Sequence, residues 1–160
     1  MDVRRIMVPL DGSSMAEAAL PVAESLARPE TSFFLVRAAE APDGLADVMA
    51  ARRDAVEAAK KYLETVAADL SARGFEKVET VPLYGPAAVA ILEAARVREP
   101  DLIVMATSGR SGVRRVVFGS VAEAVVRGTQ TPVFLVRASD GSGRSLHARV
   151  VSRESERAHV

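Results

Sequence analysis

The chain has no cysteine and no tryptophan in 160 residues, and only two histidines. Without cysteine there can be no disulfide, no thiolate nucleophile and no Cys-ligated zinc. Both histidines, His147 and His159, fall in residues 139–160, SDGSGRSLHARVVSRESERAHV. That stretch is rich in serine, glycine and arginine and lacks helical or strand periodicity, so it is expected to be a flexible tail. Residues 1–138 then form one folded domain without His or Cys. A Ser-His-Asp triad, a Cys-His pair or a His-containing zinc site cannot be assembled in it.

An excess of one charge is also missing. Twenty-one basic residues balance twenty-one acidic ones, so there is no global field to hold nucleic acid or an anionic membrane. Lysine is scarce: Lys60, Lys61 and Lys77 are the only ones. No segment approaches the roughly 18 consecutive apolar residues that a membrane helix needs. The N-terminal MDVRRIMVPLDGSS reaches Asp11 after a short apolar run, unlike a secretory signal, and a cytoplasmic protein is the expectation.

What the chain does have is alternation. Residues 5–10 (RIMVPL) are a short apolar run ending at the turn signal Asp11-Gly12, the first strand. Ser13 or Ser14 can cap a following helix with Ala19, Val22, Ala23 and Leu26 on one stripe, kinked near Pro21. Residues 32–38 (SFFLVRA) predict a second strand covered on both faces. A long helix carries Val56, Ala59, Leu63, Val66, Ala67 and Leu70 and stops at Gly74. Residues 78–84 are the third strand. Gly85-Pro86 opens a helix, with proline in its first turn, that buries Ala88, Ile91, Leu92 and Ala95. Residues 101–106 are the fourth strand, 120–127 a helix, and 132–137 (PVFLVR) the fifth strand. Strands separated by helices imply right-handed βαβ units and a parallel sheet. The expected architecture is a doubly wound, Rossmann-like α/β fold: five parallel strands, order 3-2-1-4-5, sandwiched by four helices. Ligands in such folds bind outside the carboxyl ends of the strands where the winding reverses.

That rule points to the loops after the first and fourth strands. The second runs Ala106-Thr107-Ser108-Gly109-Arg110-Ser111-Gly112-Val113-Arg114-Arg115-Val116-Val117-Phe118-Gly119-Ser120-Val121-Ala122-Glu123. Glycines let backbone N–H groups approach an anion, and a helix start adds unpaired N–H groups and a favourable dipole. The same residues are open to a plainer reading: Gly109 and Gly112 as turn residues, Ser120 and Glu123 as a capping box. Neither a G-x-x-x-x-G-K-[ST] loop nor a G-x-G-x-x-G fingerprint occurs.

IMVPLDGS, ILEAARVREPDLIVMATSGRSG and FGSVAEAVVRGTQTPVFLVR resemble the universal stress protein family, over about residues 3–137. ATP-binding members of that family carry a G-x-x-G-x9-G-[ST] signature. Gly109, nine residues and then Gly119-Ser120 match its second half, whereas its first glycine corresponds to Ala106. If that position needs φ > 0, alanine costs about 1–2 kcal/mol; if it needs only a small side chain, alanine is harmless.

The resemblance implies that the cofactor is ATP, with any Mg²⁺ held mainly through phosphates. By the same resemblance Pro9, Leu10 and Asp11 flank the adenosine and Ala38 lines the adenine pocket. Met105 and Ala106 pack near base and ribose, and Gly109, Arg110, Gly112, Gly119, Ser120 and Val121 surround the phosphates. Each has a structural alternative: a turn and helix cap for Asp11, strand packing for Ala38 and Met105, a solvated loop for the arginines. With no lysine in the loop and no committed base, binding with negligible or slow hydrolysis is expected. A family member that binds no nucleotide and acts as a dimeric interaction module is the alternative, and Ala106 favours it. An adenylate-transferring pyrophosphatase would want S-G-G-x-D-S where PLDGSS stands. A homodimer is expected through strand five, residues 133–137, whose apolar edge would otherwise be bare and through which the family resemblance implies pairing.

Overall fold

A computed structural model describes residues 3–41, 47–108, 119–138 and 148–151. The first apolar run becomes β1 (Arg5–Pro9). Its alternation sends Ile6 and Val8 to one face of the sheet and Met7 to the other, all fully buried. Cover on both faces is why the run has no polar residue in its middle.

The helix expected after Gly12 is two helices. α1 (Ser14–Glu17) and α2 (Ala19–Leu26) meet at Ala18. Pro21 has no N–H for the Glu17 carbonyl and its ring crowds that oxygen, so the break falls about a turn before the proline itself. β2 (Ser32–Ala39) leads to α3 (Val48–Ala72), which buries Ala59, Leu63, Val66 and Leu70. α3 starts on Asp47, whose carboxylate accepts the Ala50 N–H at 2.9 Å. It ends in a Schellman turn: Gly74, at φ +99°, donates to the Ser71 carbonyl, and Phe75 donates to that of Leu70.

β3 (Val78–Tyr84) precedes α4 (Ala87–Arg98), where Pro86 is the N-cap and not the first helical residue. α4 buries Ala90, Ile91, Ala94 and Ala95, whereas Ala88 and Leu92 are only half-buried. Alanine on every side of this helix leaves its periodicity nearly without phase. β4 (Leu102–Ser108), α5 (Ser120–Gly128) and β5 (Val133–Ala138) follow. Within the stretch expected to be a tail, Ala148–Val151 form a further strand, β6.

The sheet order is β3-β2-β1-β4-β5-β6. The first five strands are parallel in the order the sequence predicts, and β6 pairs antiparallel with β5, setting Phe134 against Val150. The β5 edge expected to be bare is therefore occupied by the chain itself. α2 and α3 close a core against Ile6, Val8, Phe33 and Leu35 on one face. α4 and α5 close the second against Met7, Phe34, Ile103 and Leu135.

Candidate functional site

The winding reverses between β1 and β4, and a cavity of about 340 Å³ opens there at the carboxyl ends of the strands. Nine of the residues singled out from sequence line it together: Pro9, Leu10, Asp11, Ala38, Met105, Ala106, Gly119, Ser120 and Val121. Gly109, Arg110 and Gly112, with Arg114 and Arg115, lie outside the described residues.

Each wall follows from local chain chemistry. Leu10 continues the ladder beyond β1 by donating to the Val36 carbonyl at 2.8 Å, which fixes where the chain leaves the sheet. Asp11 then turns it. Its Oδ1 accepts the Ser13 N–H at 2.8 Å, and the Ser13 hydroxyl accepts the Ala16 N–H at 3.1 Å. Ser13, not Asp11, is therefore the cap of α1, and the exposed Asp11 carboxylate makes no further hydrogen bond or ion pair among the described residues. Val36 and Ala38, two apart on β2, share the cavity side of that strand. Ala106 lies within β4, paired in register with Val136, and its φ is not positive. An L-residue sits there without strain, so alanine serves as a small wall residue.

The opposite wall is the start of α5, nine residues long, whose N-cap is Gly119 with no side chain capping it. The capping box of Ser120 and Glu123 does not form. Ser120 is already inside the helix, and the Glu123 carboxylate accepts from Arg127 at 2.7 Å instead. Gly119, Ser120 and Val121 thus bring uncapped backbone N–H groups and one hydroxyl to the cavity. Asp11 is the only charged side chain among the described lining residues. Mostly apolar walls, one carboxylate and a helix N-terminus suit a ligand with a flat apolar body, a hydroxyl or amino donor and an anionic end.

Sequence reasoning missed Met15, Ala16, Val36, Ala87, Ile91, Thr107 and Ala122, which also line the cavity. Val36 was legible, being two residues from Ala38; the others are ordinary core or helix residues with no local signal. A larger, open hollow of about 1000 Å³ lies at the amino ends of the strands. One of its two acidic residues, Asp101, accepts the Arg4 and Arg5 backbone N–H groups at 3.0 and 2.8 Å, holding β1 beside β4. We assign that end to stability. Among the described residues no cluster of His, Asp or Glu could hold a metal, and no helix is long and apolar enough to cross a membrane.

Comparison with known proteins places this geometry in context. The model of the universal stress protein family matches residues 2–137. A universal stress protein of Thermus aquaticus is 34% identical over 137 residues, covering 84% of this chain and 98% of that protein. The crystal structure of a universal stress protein in complex with cAMP superposes with a TM-score of 0.65 at 23% identity, covering 87% of this chain and 100% of the other. An Arabidopsis thaliana protein of the family with AMP bound gives 0.61 at 17% identity, over 88% and 95%. This chain belongs to the universal stress protein family.

Proposed function

We propose that the chain is an adenine-nucleotide-binding regulatory protein of the stress response, its ligand ATP, acting through occupancy of the cleft with little or slow hydrolysis. The observation that carries this reading is the meeting of nine sequence-selected residues around one cavity of nucleotide-compatible size. The base lies between Ala38 on β2 and Met105 on β4. Asp11 accepts from ribose hydroxyls or the adenine amino group. The phosphates meet the N–H groups of Gly119, Ser120 and Val121; the family resemblance assigns Gly109, Arg110 and Gly112, outside the described residues, to the same phosphates. Asp11 is the one acidic residue among the described lining residues, so a Mg²⁺ ion would be carried by phosphate oxygens and water. Structures of family members with cAMP and with AMP support an adenine nucleotide as the ligand class.

Slow turnover follows from the donor set. The described lining offers no lysine and no base other than Asp11, which the nucleoside itself engages. The unstrained backbone at Ala106 supports the reading, since alanine costs nothing there. Pairing of two copies through strand five is open only when β6 leaves that edge.

Isothermal calorimetry on nucleotide-free protein tests the reading. ATP should bind in the micromolar range, and Asp11→Ala should weaken it about tenfold, the loss of one charge-assisted hydrogen bond. No binding at millimolar ATP, with the circular dichroism spectrum of a folded protein, would overturn it.

A further inference from the structure

Behind the first loop, on the face away from the cavity, stands a side chain that the cleft does not use. Arg37 lies on β2 between Val36 and Ala38, and alternation sends it toward α3. Its guanidinium carbon sits 4.6 Å from the centre of the Tyr62 ring. The Tyr62 hydroxyl donates to the Glu17 carboxylate on α1 at 2.7 Å, which pins the ring between the two helices. The guanidinium also meets Gly12: a Cβ built on that residue would lie 3.0 Å from both terminal nitrogens of Arg37. Arg37 makes no hydrogen bond or ion pair with the described residues, so it acts here through shape and charge.

We propose that Arg37 is a positioning residue for the cleft: stacked on Tyr62, its guanidinium forms the floor under the Asp11-Gly12 turn and sets where the Asp11 carboxylate stands. The glycine at position 12 meets both demands of the place. It adopts φ +87° and leaves room for the plane beneath it. Only a flat cation satisfies both contacts; lysine would keep the charge and lose the stack. The effect on ligand affinity rests on the nucleotide reading, whereas the effect on the turn does not.

Two measurements on the full-length chain separate these. In ligand-free protein, ¹⁵N relaxation should give Gly12 and Ser13 order parameters near ~0.85, falling toward ~0.6 in Arg37→Met and in Arg37→Lys, with Gly74 unchanged as a distant control. Calorimetry with ATP then completes a double-mutant cycle. Arg37→Met should weaken ATP about tenfold in the wild-type background and by less than twofold beside Asp11→Ala, because its action passes through that carboxylate. If Arg37→Met does not fold, Arg37→Lys decides the same points. Unchanged order parameters, or additive losses in the cycle, would overturn the positioning role. A loosened turn in a protein that binds no ATP would uphold it and overturn the nucleotide reading.

Discussion

Asp11 owes its availability to its neighbour. Because Ser13 supplies the cap of α1, the Asp11 carboxylate spends one oxygen on the Ser13 N–H and keeps the rest of its accepting capacity for the cavity. Tyr62 belongs to the same corner and has its own signature. Burial first, then the hydrogen bond to Glu17, hold its hydroxyl above the usual tyrosine range. A phenol whose folded-state value is raised lends stability that is fully present below about pH 10, where the unfolded chain titrates, and lost as pH rises through the folded value. Tyr62→Phe should therefore lower stability at neutral pH yet lose less of it on going above pH 10. Urea midpoints measured across that range check this, and parallel curves would contradict it. The loops that hold Asp11 and Ser120 were legible from the reversal of winding, whereas Ala38 and Met105 entered only through the family resemblance. Arg37 and Tyr62 were not, because a residue that acts by stacking across three elements leaves no pattern along the chain.

Among the elements, helix breaks and ends obey local rules and the choice of buried face does not always. A break in the first helix follows from the chemistry of Pro21, and the end of α3 follows from Gly74; both were readable. Sequence found Ile91 and Ala95 on the buried face of α4 but not Ala90 and Ala94, because alanine presents the same small apolar surface all round. That helix also ends with Glu99 in the left-handed region, φ 45°, where glycine is the usual residue. The exposed Glu99 pays a backbone cost there, so Glu99→Gly should stabilise the chain by about 1 kcal/mol. A rise in the urea midpoint without change in slope is the expected result, and a fall would mean that the carboxylate contributes more than the strain costs.

For the whole molecule, a doubly wound sheet of five parallel strands was readable from alternation and from connection rules, but the sixth strand was not. Ala148–Val151 is too short and too polar in its flanks to stand out, and it exists through pairing with β5. A strand tethered to the same chain is present at its partner edge at roughly millimolar effective concentration, well above a second copy in micromolar solution. β6 therefore guards the edge through which strand-five pairing would occur. Successive N–H groups on a strand point to opposite sides, so prolines at both Arg149 and Val150 must strip a donor from the ladder. The double variant should shift to higher mass in light scattering; a mass distribution equal to that of the wild type would contradict the guarding role.

The central question is whether the cavity between β1 and β4 receives a purine nucleotide. Crystals grown with ATP would answer directly. Density is expected for the base between Ala38 and Met105, with the ribose within hydrogen-bond distance of the Asp11 carboxylate and the phosphates against the backbone N–H groups of Gly119, Ser120 and Val121. An ordered cleft holding only water at saturating ATP, or a nucleotide seated elsewhere on the protein, would contradict it.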